Sequence, residues 1–305
     1  MIKLSRICVP LCMECDLNCR YCYRADGKRF IPEFNQLMKN YLGQLSPEWC
    51  KAVIASGGEP LLRFDRVQEL FSYVPKNIHK RIMTNGLNFT QEIIDFINQN
   101  QIEIHLSHDG RYTEYLRGYD ILKDKTLLNL ILQINDLKMY SVCTNKNPNP
   151  YQNYLDIKEI LKDKEFRFDS QPIFLSKYFP DLIQNFDFES YSKGRMQCCT
   201  EGLFEWKVQY SSDFIKSRSN GFNILPDGSV VGMNTITHTY GTVQDSLETL
   251  LQRKKEFGDI ESCENNQCKI RTQCRLMSQL ADPIACKFHR IEQDIVQFLK
   301  NIREE

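Results

Sequence analysis

Strand-like and helix-like segments alternate along the first 175 residues. The short β-rich runs are KLSRICVPL, KAVIAS, KRIMT, IEIHLS, MYSVCTN and FRFDSQPIF. Between them, segments such as FDRVQELFSYV, QEIIDFINQ and YLDIKEILKD repeat their apolar residues every three or four positions, as amphipathic helices do. Strands separated by helices pair in parallel. The pattern therefore predicts an open or closed α/β barrel, whose functional site lies at the C-terminal ends of the strands.

After about residue 195 this alternation stops. NILPDGSVVGM predicts a hairpin with its turn at Pro226, Asp227 and Gly228, and SLETLLQRKKEF predicts a helix before a cysteine-rich segment. The terminal stretch RIEQDIVQFLKNI has helical spacing and is expected to pack back on the body. We predict a barrel domain over residues 1–195 and a smaller cysteine-rich domain over residues 196–305, with an interface between them.

The composition narrows the class of protein. The chain has 305 residues, and its 39 Lys and Arg balance 39 Asp and Glu, so we expect no nucleic-acid partner. No run approaches the roughly 18 apolar residues of a membrane helix, and cysteines interrupt the N-terminus before a signal peptide could form. We therefore expect a soluble cytoplasmic protein without membrane contact. Thirteen cysteines in a reducing compartment favour metal or redox chemistry over disulfides.

Three cysteines stand in one short loop after the first predicted strand. Cys15, Cys19 and Cys22 occupy CDLNCRYC. Three close thiolates suit an iron–sulfur cluster that keeps one iron open. A zinc site that adds Cys12 to these three residues is the alternative that the spacing also permits.

The loop resembles the CxxxCxxC signature of the radical S-adenosylmethionine (AdoMet) enzymes, with the aromatic Tyr21 before the last cysteine. The resemblance implies a partial (β/α)6 barrel and a [4Fe-4S] cluster on the three cysteines, whose open iron chelates AdoMet. Gly57, Gly58, Glu59 and Pro60 follow the second strand and are similar to the family's GGEP motif, which meets the AdoMet amino group. Glycines allow close approach of a ligand, and a carboxylate complements an ammonium group. A surface turn is the alternative.

Polar residues follow the next predicted strands. Thr84 and Asn85 stand in TNG, Ser107 in SHDG and Arg117 in YLRG. These segments resemble the corresponding segments of peptide-modifying members of the family. The resemblance implies that Ser107 and Arg117 help to hold the AdoMet carboxylate or ribose, and that Asn145 contacts the ribose. Each residue could instead be a polar strand end or a cap.

A second cysteine group lies near the C-terminus, at Cys263, Cys268, Cys274 and Cys286. Four thiolates saturate either a second cluster or a structural zinc. Together with the hairpin and the helix, this segment resembles the SPASM or twitch extension of radical AdoMet peptide maturases. The resemblance implies an auxiliary [4Fe-4S] cluster on these four cysteines.

The extension departs from the family pattern. Met233 and, approximately, Ser278 stand where full SPASM domains have cysteines, which indicates that a first auxiliary cluster is missing. Asn234 replaces the aspartate that acts as a base in sulfatase-maturing relatives, which argues against that activity. Cys198 and Cys199 are then left without a cluster. Each is a candidate hydrogen-atom donor, with an ordinary buried thiol or a relic of the lost cluster as the alternative.

The resemblance implies an enzyme that reductively cleaves AdoMet to a 5′-deoxyadenosyl radical, which abstracts hydrogen from a ribosomally made precursor peptide and forms a crosslink or thioether. A reductase would supply the electron. Because the chain begins at the first strand, we expect no fused leader-binding domain, which makes a separate leader-binding protein a candidate partner. The alternatives are a radical peptide epimerase that uses Cys198 or Cys199, radical chemistry on a small molecule, and a zinc-bearing scaffold.

Overall fold

The computed structural model describes residues 6–22, 30–173, 179–203, 222–232 and 238–258, together with residues 287, 291, 294 and 295. The strands of these parts of the chain are β1 (Ile7–Pro10), β2 (Ala52–Ser56), β3 (His79–Thr84), β4 (Glu103–Ser107), β5 (Leu137–Cys143), β6 (Arg167–Pro172), β7 (Phe222–Ile224), β8 (Ser229–Val231) and β9 (Thr239–Thr242). They form one sheet in the order β6-β5-β4-β3-β2-β1-β7-β8-β9. Strands β1 to β6 run parallel, which confirms the predicted α/β class.

Helices connect the parallel strands. The helices of the described residues are α1 (Gln36–Gly43), α2 (Phe64–Tyr73), α3 (Gln91–Gln99), α4 (Thr113–Arg117), α5 (Lys125–Ile131), α6 (Pro150–Leu161), α7 (Pro180–Ile183), α8 (Phe188–Thr200) and α9 (Leu247–Gly258). Local signals begin them, since Asn35 and Thr90 cap α1 and α3, and Pro150 opens α6. In the described part of the chain no helix has the length and apolarity to cross a membrane.

Side chains alternate between the two faces of the parallel strands. One face is apolar and packs beneath the helices, and its core residues include Ile82, Ile104, Leu106, Met139 and Phe168. The opposite face, the inner face, carries charge at the alternating positions Arg81, Glu103, His105, Lys138 and Asp169. A parallel sheet covered by helices on both faces is apolar on both. The charged inner face is therefore that of an open barrel and not of a doubly covered sheet.

The predicted hairpin is confirmed and extends the barrel sheet. Strands β7 and β8 pair antiparallel around Gly228, whose φ of +88° favours glycine, and β7 runs parallel to β1. The boundary predicted after residue 195 falls within α8, and the division into two domains stays a prediction. Ile295 is buried in the main core, as expected of a terminal stretch that packs back on the body.

Glu103 lies at the centre of an ion-pair network on the inner face. Its carboxylate is 2.7 Å from His105 Nε2 and 3.1 Å from Arg167 Nη2, and it also pairs with Arg81 and His79. Burial opposes the charge, but the His105 hydrogen bond and the two guanidinium charges hold the pKa of Glu103 below its usual range. The network ties β4 to β3 and β6.

We expect Glu103→Gln to lower the free energy of unfolding by about 3 kcal/mol at pH 7, because the substitution removes the buried counterion of the Arg81 guanidinium and one of the two counterions of Arg167, which also pairs with Asp136. The folded-state pKa is depressed, so the contribution of Glu103 is complete above its ordinary pKa of 4.5 and is lost as the pH falls. Urea unfolding of both proteins at pH 7 and at lower pH should show the difference shrinking on acidification. Equal stability at pH 7 would mean that the network contributes nothing.

Candidate functional site

Four connecting segments meet beyond the C-terminal ends of β1 to β4. Residues 11–22, the cysteine loop, follow β1 and carry Cys15, Cys19 and Cys22. Residues 57–60 follow β2, residues 85–88 follow β3, and residues 108–118 follow β4. Hydrogen bonds connect each of the last three segments to the cysteine loop. The structure thus brings together the motifs that are far apart in the sequence.

The adjacent glycines Gly57 and Gly58 lie against the cysteine loop. Gly58 N donates to Cys12 O at 2.8 Å, and Glu59 N donates to Glu14 O at 2.8 Å. A Cβ on Gly58 would stand 2.2 Å from Glu14 O, and one on Gly57, whose φ is +147°, would stand 2.3 Å from Cys12 O. These glycines were expected to admit a ligand. In the structure, the backbone of the cysteine loop packs against both glycines.

We expect Gly58→Ala to lower the free energy of unfolding by about 2 kcal/mol, because the new Cβ would push apart two hydrogen-bonded backbones. Gly43→Ala is the matched control, since a Cβ at that position meets nothing within 4 Å. Chemical denaturation of the two variants measures the difference. Equal stability of Gly58→Ala and Gly43→Ala would contradict the close contact between Gly58 and the backbone of the cysteine loop.

Glu59 connects the segment after β2 with the segment after β3. It is 1% exposed, and its carboxylate accepts hydrogen bonds from Leu61 N at 3.0 Å, Thr84 Oγ1 at 2.7 Å and Asn85 N at 2.8 Å. Burial raises the pKa of Glu59 to about 7 against the effect of these hydrogen bonds. The Glu59 carboxylate was expected to complement an ammonium group. In the structure its oxygens accept hydrogen bonds from three donors of the protein, and these bonds join the segment after β2 to Thr84 and Asn85.

The segment after β3 reaches the cysteine loop through two side-chain amides. Asn85 Nδ2 and Asn88 Nδ2 each donate to the Asp16 carboxylate at 2.6 Å. Asn85 Nδ2 also lies 3.8 Å from Cys15 Sγ. An N–H group directed at sulfur stabilises the thiolate form that a metal ion requires. Asn85 therefore connects the cysteine loop with Glu59, and its predicted role toward AdoMet stays a prediction.

A buried carboxylate, Asp109, joins the cysteine loop to α4 and β5. Asp109 is 0% exposed and accepts hydrogen bonds from Tyr21 Oη, from Arg117 Nε at 2.7 Å and from Val142 N at 2.7 Å. The Arg117 guanidinium also lies 5.3 Å from the centre of the Tyr21 ring. Because Tyr21 precedes Cys22, this contact fixes the end of the loop next to that cysteine. The sequence predicted Tyr21 and Arg117 but missed Asp109, whose signal was its place in SHDG.

Two thiols of the cysteine loop have raised pKa values. Desolvation by the surrounding loop raises the pKa of Cys15 to about 11, although the residue as a whole is exposed, and burial raises the pKa of Cys19, where the charge of Arg117 opposes the shift. Cys12 differs, because its buried thiol donates to the Glu59 carbonyl at 3.1 Å. The hydrogen bond of Cys12 disfavours the zinc alternative, which needs that thiol as a ligand.

The donor set of the cysteine loop fits an iron–sulfur cluster. Within the ranges that the structure describes, no three His, Cys, Asp or Glu side chains, the three loop cysteines included, are arranged as a group that could hold a metal ion. Cys15 is exposed, and Cys19 and Cys22 are half-buried, so none of the three residues is enclosed in the core. Soft thiolates with nearby N–H and guanidinium groups are the donors and surroundings that such clusters use.

Two further predicted residues lie at strand ends. Ser107 is half-buried at the end of β4, on the inner face. Asn145 Nδ2 donates to the carbonyls of Asp181 and Gln184, each at 2.9 Å, so this amide holds the segment around α7. Its Oδ1 is buried and has no hydrogen-bond partner among the described residues. The predicted roles of Ser107 and Asn145 toward AdoMet stay predictions.

Cys198 and Cys199 lie on α8 within the main hydrophobic core, at 0% and 4% exposure. Burial raises the pKa of Cys198 well above the ordinary value of a thiol. This environment favours the interpretation of packed thiols, and the hydrogen-donor role stays a prediction.

The second cysteine group lies outside the described residues, as do Met233, Asn234 and Ser278. The auxiliary cluster predicted on Cys263, Cys268, Cys274 and Cys286 therefore stays a prediction.

Comparison with known protein sequences gives one family and two relatives. The profile of the radical SAM superfamily matches residues 9–167. The cysteine-type anaerobic sulfatase-maturating enzyme of Clostridium novyi (strain NT) is 26% identical over 188 residues, which are 55% of this chain and 50% of that protein. The uncharacterized protein MJ0907 of Methanocaldococcus jannaschii is 28% identical over 159 residues, 47% of this chain and 54% of that protein. The chain spans about half the length of these curated relatives.

Solved structures share the fold over most of the chain. The structure of native anSMEcpe with bound AdoMet and the Cp18Cys peptide has a TM-score of 0.65 at 18% identity and covers 98% of this chain and 99% of its own. SuiB of Streptococcus suis bound to the precursor peptide SuiA has a TM-score of 0.62 at 14% identity, with coverages of 82% and 65%. At these identities the likeness concerns the fold alone.

Proposed function

The chain belongs to the radical SAM superfamily, whose members are enzymes that use AdoMet and a [4Fe-4S] cluster, and from this premise we propose that Cys15, Cys19 and Cys22 hold that cluster. One observation carries the proposal. The loop with these cysteines is hydrogen-bonded to all three segments that the family resemblance assigns to AdoMet, at residues 57–60, 84–88 and 107–117. The site lies at the C-terminal ends of parallel strands, where barrel enzymes place their chemistry.

When bound, AdoMet and the cluster supply a 5′-deoxyadenosyl radical that abstracts a hydrogen atom from the substrate. The protein orients the cofactor. Asp109 holds Nε and Nη2 of Arg117 at 2.7 and 3.4 Å, which leaves Nη1 for the AdoMet carboxylate. Ser107 and Asn145 offer hydrogen bonds to the carboxylate or ribose. Since the Glu59 carboxylate is engaged, backbone carbonyl oxygens of residues 57–60 would accept hydrogen bonds from the AdoMet amino group.

For the substrate, we propose a ribosomally made precursor peptide in which the enzyme forms a crosslink or thioether. The related structures support this, because anSMEcpe binds a peptide and SuiB binds a precursor peptide. A reductase and a separate leader-binding protein are the proposed partners. The proposed auxiliary [4Fe-4S] cluster, on Cys263, Cys268, Cys274 and Cys286, would carry electrons near the substrate.

Deuterium transfer tests the substrate class. The reduced enzyme is incubated with AdoMet and with deuterated short peptides encoded beside its gene. We expect deuterium in 5′-deoxyadenosine and a peptide product that has lost two hydrogens. Deuterium transfer from small metabolites, with none from peptides, would contradict the peptide proposal.

The same assay distinguishes a radical peptide epimerase. An epimerase replaces the abstracted hydrogen of the peptide with one that derives from solvent, so its product has exchanged one hydrogen and shows no net loss. Cys198→Ala and Cys199→Ala are then the informative variants. Because both thiols are packed in the core, we expect the two variants to retain the crosslinking activity.

A further inference from the structure

Arg66 on α2 reaches both ends of the segment that carries the cysteine loop. Its Nη1 donates to the carbonyl of Leu11, where the chain leaves β1, and to the carbonyl of Ile31 at 3.4 Å. Its Nη2 donates to the carbonyl of Pro32. Leu11 and Ile31 are 20 positions apart and enclose all three proposed cluster ligands. One guanidinium thus links the two ends of this segment, Leu11 at one end and residues 31–32 at the other, which together we call its neck.

The bridge consists mainly of hydrogen bonds to the backbone. Arg66 is 2% exposed, and its carboxylate neighbour Glu33, at 3.5 Å, has a side chain that is 67% exposed. A partner so exposed offsets little of the cost of burying a charge. The backbone carbonyl oxygens of Leu11, Ile31 and Pro32 therefore offset most of the free-energy cost of burying the Arg66 charge. A planar guanidinium can bond to two chain segments at once, whereas the ammonium group of lysine is a point charge.

Several other contacts join the loop to the segments after β2 and β4. Gly58 and Glu59 bind its first residues, Arg20 N donates to Leu116 O at 2.8 Å, and Tyr21 binds Asp109. Arg66 instead sits on α2, a helix of the apolar face, and none of its hydrogen-bond partners is a residue proposed to bind AdoMet. Leu11 and Ile31 are also buried, so the bridge adds to their packing, and its removal lowers the free-energy cost of separating the two ends of a segment of about twenty residues.

We propose that Arg66 is a positioning residue that holds the neck of the cysteine segment closed and thereby sets how long the enzyme retains its cluster. This inference rests on the proposed cluster site. It assigns to Arg66 an effect on cluster loss, and not on the chemistry performed by each intact cluster.

The test measures the rate of cluster loss in the reconstituted full-length enzyme. Wild type, Arg66→Met, Arg66→Lys and Arg63→Met are reduced anaerobically, and an iron chelator is added. The readout is the part of the electron paramagnetic resonance signal that shifts on addition of AdoMet, because this part reports a cluster with an open iron. Arg63→Met is the matched control, since Arg63 adjoins α2 and binds the exposed Asp65.

We expect Arg66→Met to lose this signal about tenfold faster than wild type or more, because charged hydrogen bonds are removed from both flanks. Arg66→Lys should fall in between, and Arg63→Met should match wild type. AdoMet cleavage per remaining cluster should be unchanged in all variants. If Arg66→Met does not fold, Arg66→Lys provides the same comparison.

The two proposals fail in different ways. Wild-type loss rates in both Arg66 variants would overturn the role of Arg66 and leave the cluster site intact. A wild-type enzyme without any AdoMet-sensitive signal would overturn the cluster site itself.

Discussion

Asp109→Asn is expected to lower the free energy of unfolding by about 4 kcal/mol and to reduce AdoMet cleavage at least about 100-fold. The carboxylate of Asp109 is the buried counterion of Arg117 and also binds Tyr21 and Val142. An amide in its place removes the charge and one acceptor, so a guanidinium that is 6% exposed loses its counterion. The cysteine loop and the proposed AdoMet carboxylate ligand are then both released.

The measurement combines urea unfolding with a 5′-deoxyadenosine assay on anaerobically reconstituted protein. Asp65→Asn is the matched control, because Asp65 pairs with Arg63 at a surface where its side chain is 67% exposed. Exposed pairs contribute about 0.5 kcal/mol, so the control should change little. Wild-type stability and cleavage in Asp109→Asn would show that the carboxylate does not organise the site.

Glu59→Ala is expected to lower the free energy of unfolding by about 3 kcal/mol near pH 5, because it leaves three buried donors without their acceptor. These donors are Leu61 N, Thr84 Oγ1 and Asn85 N. The loss separates the segments after β2 and β3, so binding of AdoMet should also weaken.

The pH dependence of this effect has a definite sign. The folded-state pKa of Glu59 is raised to about 7 from an ordinary value of 4.5, so the folded protein binds the extra proton between these values. The contribution of Glu59 is complete below the lower value and falls as the pH rises, by up to about 1.4 kcal/mol per pH unit. We therefore expect the difference between wild type and Glu59→Ala to shrink from pH 5 to pH 8. A constant difference would contradict the raised pKa, and Glu69→Ala on α2 is the matched control.

The parallel strands were predictable because their signal is local. Each of β1 to β6 overlaps a short β-rich run that precedes or follows an amphipathic helix, although β3 and β5 begin one and two residues before their runs. The motifs of the site were predictable for a related reason, since loops at the C-terminal ends of neighbouring parallel strands must meet. The hairpin followed from its turn residues, with Gly228 in the left-handed region.

SHDG marks the place of Asp109, but the roles of Asp109 and Arg66 were not predictable, because they depend on partners that are distant in the sequence. Asp109 binds Tyr21, 88 positions away, and Arg66 binds Leu11, 55 positions away. In the sequence, Asp109 has the pattern of a turn residue, and Arg66 that of a polar position on an amphipathic helix. Their burial arises only when the cysteine loop packs against them.

Helix α8 was missed for a different reason. Its residues show no clear apolar stripe, and Gly194 lowers the helix propensity of the segment. In the fold, Gly194 allows close packing on the side chain of Asn149, since a Cβ there would stand 2.0 Å from Asn149 Oδ1. Tertiary packing on the start of α6 therefore outweighs the weak local signal.

The most direct test of the proposed cluster site compares wild type with a Cys15→Ala/Cys19→Ala/Cys22→Ala variant, both reconstituted anaerobically with iron and sulfide. Iron is counted, and 5′-deoxyadenosine is measured after addition of dithionite and AdoMet. We predict about eight irons in wild type and about four in the variant, with AdoMet cleavage lost in the variant. Wild-type protein that binds zinc in place of iron and forms no 5′-deoxyadenosine would contradict the proposed site.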